Sequence, residues 1–240
     1  MPGDERSYDV IGFGDEVPGV LALVCAAKEY RRRTGKYPRV LLMSKGSKHE
    51  GVGGHLVRGG LAYLDRCQVS KDLRSALGLD TFGSPPAIYA EFLQKAGVVS
   101  IGLDPRKADA ALKKMMQESG VALLREVEIQ SVIKDGQRVA GIQTTKGETY
   151  LGKQFIDSTV NAELAQAAGV RKLKGFETFG LPESELPVTL VFETEGISDR
   201  KLKEIENNFL KRFTNLADKQ AQEYLLDAAG RDRKLAEQLR

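Results

Sequence analysis

Histidine and cysteine are scarce, with two of each in 240 residues. Those residue types supply most protein metal sites and many nucleophile–base pairs, so a metal centre or a thiol- or histidine-based mechanism has little to draw on. Cys25 falls on an apolar helix face and Cys67 in a loop. With neither a metal spacing nor a disulfide framework, they read as reduced thiols of a cytoplasmic protein. Long apolar runs are missing as well. None approaches the roughly twenty residues that cross a bilayer, and no signal-peptide pattern opens the chain. A soluble, intracellular protein without a membrane partner is expected. An excess of one charge is also lacking. A net charge of +3 is too small to imply nucleic acid, and no basic tract is interleaved with aromatics. The densest cationic stretch, Arg31-Arg32-Arg33, closes a helix, where cations complement the dipole.

What is present is an ordinary α/β composition, 41% apolar and 29% charged, long enough for one large domain or two modest ones. The chain is organised around its first twenty-odd residues. An apolar run, Tyr8 to Phe13, ends in Gly12 and Gly14 and passes into an apolar-periodic helix over 18–34, closed by Gly35 and Pro38. A second strand follows over 39–43, apolar on successive residues as a buried parallel strand should be. This is a βαβ unit whose turn, at a helix N-terminus, suits a phosphate group. The glycine spacing departs from G-x-G-x-x-G, since the third position is Val17 and the next glycine, Gly19, comes two residues late. A longer loop with Pro18 at the first helical position would accommodate this. Asp15 and Glu16 then lie in that loop, where a pyrophosphate would be repelled. At the end of the second strand, where a dinucleotide site usually has an Asp or Glu, stand Ser44, Lys45 and Gly46.

The stretch 50–63 holds five glycines in ten residues, together with His55 and Arg58. Glycine serves where a backbone passes close to a ligand or takes positive φ, and the interleaved apolar residues favour a packed loop with His55 or Arg58 facing a cofactor. Helices are expected near 69–77, 86–96 and 105–119, the last capped by Asp104 and stopped by Gly120. Strands are expected over 122–124 leading into 127–133, then 138–144 and 149–155, joined by Asp135-Gly136 and Lys146-Gly147, with a further buried strand ending at 155–159 and a short helix over 161–168. A connecting segment over 171–187 leads to a strand over 186–193 and then to charged amphipathic helix over 199–240, broken near Thr214 and Gly230. The chain stops without a closing strand, which reads as truncation within a larger architecture.

This order resembles the glutathione-reductase-like FAD-binding fold, and in particular the FAD-dependent oxidoreductases of cyanobacterial type. The run from Phe155 to Ala165 looks like the motif F-I-D-A-T-G-D-G-D-L-A, matched at Asp157, Thr159, Leu164 and Ala165 and departing from it at Val160, Asn161, Ala162 and Glu163. The resemblance implies an α/β protein: a Rossmann-like FAD-binding domain over 1–170, with a parallel sheet and a β-hairpin insertion, then part of an α+β substrate domain over 171–240. It implies that Gly12, Gly14, Pro18 and Gly19 cradle the FAD pyrophosphate and that Ser44 and Lys45 sit at the ribose end. Gly53, Gly54 and His55 would run along the flavin, Ile129 would meet the adenine, and Thr159 would close the site. The implied activity is hydride transfer at the flavin to or from a small molecule, with no acid, base or nucleophile named. The alternative is a degenerate FAD-fold protein that binds a nucleotide or a partner without redox turnover, suggested by Asp15, Glu16, Val17, Ser44 and Val160. Gly14→Glu is expected to abolish flavin loading while sparing the fold.

Overall fold

The first apolar run forms β1 (Ser7–Phe13), and the helix α1 (Val17–Thr34) starts three residues after it. A computed structural model describes residues 6–65, 71–99, 101–173, 175–181, 195–228 and 233–239. Internal contacts divide the chain into two units, Met1–Val191 and Phe192–Arg240. The strand expected over 186–193, together with Cys67 and Gly230, lies outside the described residues.

In the first unit β2 (Val40–Met43) follows α1, and then come α2 (Gly54–Val57), α3 (Lys71–Ala76), α4 (Ala87–Lys95) and α5 (Pro105–Ser119). The chain continues through β3 (Val121–Leu124), β4 (Ile129–Asp135), β5 (Arg138–Thr144) and β6 (Thr149–Asp157) to α6 (Glu163–Ala167). The sheet order is β3-β2-β1-β6-β5-β4. β3, β2, β1 and β6 are parallel neighbours, while β5 and β4 add an antiparallel meander at the far edge. This is the mixed α/β sheet that the resemblance implies.

Alternation along β1 and β2 explains the two cores. Leu42 and Val40 face a cluster with Val20, Leu23 and Val24 of α1 and Leu112 and Met115 of α5. Ile11, Phe13, Leu41 and Met43 face the opposite side, against Ile142, Tyr150 and Leu164. Each fully buried side chain of this size contributes roughly 1.5–3 kcal/mol of burial free energy, so both faces of the sheet are strongly held. α5 supplies its stripe from Ala108, Ala111, Leu112, Met115 and Met116. Its Asp104 side chain accepts from the Arg106 and Lys107 amides, and Gly120 ends it in the left-handed region at φ 70°.

Several expectations are corrected. The helix begins directly after Glu16 with Val17, and Pro18 is its second residue, so there is no extended loop. Val17 is buried against the first core at 3% exposure and needs no glycine there. The separate strand expected at 155–159 is the second half of β6: one end of that strand pairs with β5 and the remainder with β1, in a register that reaches Phe13 and Asp157. The strand expected over 122–124 is β3, paired with β2, whereas the strand expected from 127 pairs in the meander only from Ile129, the Val127 amide donating to the Ser44 carbonyl. Cys25 is exposed on α1 and lies off its buried face.

The second unit contains α7 (Asp199–Thr214), α8 (Lys219–Ala228) and α9 (Arg233–Leu239). Ser198 caps α7 through a bond from the Lys201 amide, and α7 buries none of its residues. Ala221, Leu225 and Ala236 are the unit's buried apolar positions among the described residues. The break near Thr214 is where α7 ends. Among the described residues no helix is long and apolar enough to cross a membrane, and no cluster of His, Cys, Asp and Glu is placed to hold a metal ion.

Candidate functional site

The parallel register brings the carboxyl ends of β1, β2 and β6 to one edge of the sheet, with Phe13 level with both Met43 and Asp157. The chain leaves β1 toward β2 on one side and returns through β6 on the other, the arrangement that leaves a crevice at a topological switch point. Backbone bonds tie the three exits together: the Gly14 amide donates to the Met43 carbonyl at 2.9 Å, and the Ser158 amide to the Phe13 carbonyl at 2.8 Å. A cavity of about 200 Å³ opens there, lined among others by Gly14, Asp15, Ser44, Lys45, Arg58 and Thr159.

The turn is shaped by close packing within the chain. Gly14 has φ 93°, and a Cβ on it would stand 2.3 Å from the Ser158 carbonyl oxygen. A Cβ on Gly19 would stand 2.1 Å from the Ser158 Cβ. Gly19 therefore provides the close approach between helix and sheet edge that the third glycine of the usual motif provides, two residues further along. Gly14→Glu is consequently no clean probe of ligand binding, because it disrupts the turn itself.

The two acidic residues of the turn face inward, to the second glycine-rich loop. Asp15 is 3% exposed, and its carboxylate takes a bidentate contact from Arg58, through Nη1 and, at 2.8 Å, through Nη2. Arg58 Nη1 also donates to the Gly51 carbonyl at 3.1 Å. The hydrogen bond to Asp15 raises the Arg58 pKa above its usual value, so the guanidinium stays charged. Glu16 holds the N-cap position of α1 without bonding to its amides. Its carboxylate accepts from the His55 amide at 3.1 Å and lies 3.1 Å from His55 Nδ1. That carboxylate fills the space beside Gly54, where a Cβ would be 1.9 Å from Oε1. From α5, Asp109 accepts the Val52 amide at 2.7 Å. The glycine-rich loop is thus packed, with Val52 fully buried.

On the far wall Ser44 is 1% exposed and its Oγ accepts from the Gly46 amide at 3.1 Å. Lys45 Nζ meets Glu163 Oε2 at 2.5 Å. Asp157 Oδ1 accepts from the amide and hydroxyl of Thr159, its Oδ2 accepts from the Ala165 amide, and Thr159 Oγ1 accepts from the Glu163 amide. The Asp-x-Thr pattern therefore folds the exit of β6 onto α6, a side-chain-to-backbone role. Ala162 sits in the left-handed region, φ 53°, where the resembled motif has glycine.

Of the residues expected at the site, Gly14, Ser44, Lys45 and Thr159 line one cavity. Gly12 and Gly19 are buried behind it, and Pro18 is exposed on α1. Gly53, Gly54 and His55 stand in the loop that Glu16 anchors, with the His55 side chain 63% exposed. Ile129 pairs with Thr144 in the meander and packs on the second core, outside the cavity lining. Asp157 is visible in the sequence as part of the Asp-x-Thr motif, whereas the Lys45–Glu163 and Asp15–Arg58 pairs emerge only from the fold. The partners in the latter pair are 43 positions apart, and no local pattern joins them.

The sequence profile of the FAD dependent oxidoreductase family matches residues 9–238. The chain belongs to that family. FAD is its cofactor. Among solved structures, it is similar to L-proline dehydrogenase from P. horikoshii, with 14% identity over 70% of this chain and 57% of that one, TM-score 0.39. THI4 from Thermovibrio ammonificans gives 17% over 71% and 66%, TM-score 0.43. L-amino acid deaminase from Proteus vulgaris gives 14% over 66% and 48%, TM-score 0.39. The chain thus spans about half to two thirds of the length of these three structures. A comparison with curated proteins yields no match.

The residues present suit FAD at this edge. The first turn of α1 carries no side-chain cap and no acidic residue, leaving its amides for an anion. The carboxylates of Asp15 and Glu163, both on the cavity wall, are each paired with a cation. The third carboxylate on the wall, Glu16, accepts from the His55 amide.

Proposed function

We propose that the chain binds FAD with its pyrophosphate at the turn between β1 and α1, and that the protein is an oxidoreductase transferring hydride between the flavin and a small molecule. The observation that carries this reading is the uncapped N-terminus of α1 opening on a cavity in which two carboxylates, Asp15 and Glu163, are paired with cations and the third, Glu16, accepts from the His55 amide. Lys45 and Ser44 would hold the ribose side, where a lysine and a hydroxyl replace the usual carboxylate. The loop of Gly53, Gly54 and His55 would border the flavin side. When bound, FAD supplies the two-electron chemistry, while the protein orients it and tunes its electronics. This chain's own part is to bind and orient: α1 offers amides, Lys45 offers charge, and the Asp157–Thr159 bonds hold the exit of β6 in shape. The ion pairs of Asp15 and Glu163 lessen the repulsion of an anion at this turn and so support this reading over a degenerate nucleotide-binding protein.

In the same reading residues 1–170 form the FAD-binding domain in its glutathione-reductase-like version, and 171–240 begin a substrate domain. Two cysteines without a pairing framework support a cytoplasmic location. The test is a visible absorption spectrum of the purified chain before and after incubation with FAD and removal of the excess, with titration of Lys45→Glu alongside. A retained flavin spectrum is expected, with affinity about tenfold weaker or more in Lys45→Glu, where the cation on the ribose side becomes an anion and Glu163 loses its partner. A chain that stays colourless in excess FAD refutes the reading.

A further inference from the structure

The turn proposed for the pyrophosphate contains a carboxylate, and a buried carboxylate beside a phosphate is strongly unfavourable unless something neutralises it. Asp15 is that carboxylate: it is 3% exposed, lies on the cavity wall, and precedes α1 by two residues. Arg58 covers both of its oxygens, through Nη1 and Nη2. The guanidinium itself lines the same cavity, with its side chain 28% exposed. Its bond to the Gly51 carbonyl anchors it within the second glycine-rich loop. The planar fork is suited to this geometry in a way a lysine is not, since it meets two carboxylate oxygens at once and keeps further N–H donors.

We propose that Arg58 is the residue that makes an acidic turn able to hold an anion, by converting Asp15 from a lone carboxylate into one half of a neutral pair at the floor of the cavity. Glu16 also lines the cavity and its charge acts on Arg58 as well, but its carboxylate bonds elsewhere, accepting from the His55 amide and lying 3.1 Å from His55 Nδ1, so the bidentate contact belongs to Asp15. The inference rests on the FAD reading above and deepens it: the arginine comes from the loop 53–58, so the two glycine-rich segments act as one binding unit. Arg58 is a binding and positioning residue here, and no chemical step is assigned to it.

The test is the FAD dissociation constant, read by quenching of flavin fluorescence, for the unmodified chain, Arg58→Met, Asp15→Asn and the double variant. Arg58→Met leaves Asp15 unpaired and is expected to weaken FAD about tenfold or more. The double variant removes the carboxylate too and is expected to return to within about threefold of the unmodified chain. A purely structural arginine would leave the double variant as weak as Arg58→Met, and that result overturns the proposal, as does an unchanged affinity in Arg58→Met. Should Arg58→Met fail to fold, Asp15→Asn decides. It keeps the arginine and removes the anion, so affinity equal to or tighter than the original is expected and a weaker one overturns the proposal. If the unmodified chain itself binds no FAD, the reading of the turn falls and this inference with it. Binding by the unmodified chain with the wrong variant pattern sinks this inference alone.

Discussion

Gly19→Ala should destabilise the first unit although an alanine is ordinarily the better helical residue. In an exposed helix the change would gain roughly 0.5–1 kcal/mol. Here the new Cβ would stand 2.1 Å from Ser158 Cβ and 2.2 Å from Ser158 Oγ. Rotation about χ1 moves the hydroxyl and leaves the Cβ in place, so α1 or the exit of β6 must shift. Overpacking of this kind costs about 1–3 kcal/mol, which outweighs the helix gain and leaves a net loss of roughly 1–2 kcal/mol. Because both obstructing atoms belong to the side chain of residue 158, Ser158→Gly should remove the conflict. The double variant should recover, with a coupling energy of about 1–3 kcal/mol. Gly14 supplies the control. Its Cβ would meet the Ser158 carbonyl oxygen at 2.3 Å and the Thr159 amide nitrogen at 2.6 Å, both backbone atoms, at φ 93°. Gly14→Ala should therefore be damaging with or without Ser158→Gly. Urea unfolding followed by far-ultraviolet circular dichroism measures all of these variants. A Gly19→Ala chain at least as stable as the original, or no coupling to Ser158→Gly, would falsify the argument that Gly19 is fixed by helix-to-sheet approach.

The remaining predictions follow from local geometry. Ala162 holds a left-handed conformation at φ 53° that L-residues adopt at a penalty of about 1–2 kcal/mol, so Ala162→Gly should raise stability by roughly 1 kcal/mol despite the entropy of glycine. A thermal midpoint that stays put or falls contradicts that strain. Asp9 accepts from Lys153 Nζ at 2.7 Å and from the Arg39 amide at 2.9 Å, and these bonds, that from Lys153 first, hold its pKa below 3.8. A depressed folded value means its contribution is complete above the unfolded pKa and disappears as pH falls through the folded one. Stability measured from about pH 5 down to pH 2 should thus decline less in Asp9→Asn than in the original, and parallel curves would remove Asp9 from the account.

The βαβ unit, the buried double-faced strands and the Asp104 and Gly120 stops were legible in the sequence because each is a local pattern: an apolar run, a helical stripe, a capping residue. The limits of that legibility concern distance along the chain. Val17 in the third-glycine position looked like a defect, since nothing nearby says that Gly19 meets Ser158, which arrives 139 positions later at the exit of β6. Asp15 and Glu16 looked repulsive for the same reason. A carboxylate's sign is visible in a sequence, but its partner is not, and Arg58 and His55 reach those two residues only because the loop after β2 folds back across the end of β1. Ile129 went the other way: its strand was foreseen, but the turn at Val127 that commits the Ser44 carbonyl and sends β4 off into the meander depends on tertiary pairing. Even the motif that was recognised, Asp157-x-Thr159, carried a different meaning in three dimensions. Its bonds run to Ala165 and Glu163 and shape the wall of the cavity. It follows that the glycines of this turn are constrained first by the chain's own packing. A substitution there reports on ligand binding only after its effect on that packing has been measured, and for that reason the informative variants are Lys45, Arg58 and Asp15, whose side chains line the cavity, in preference to the glycines that the motif singles out.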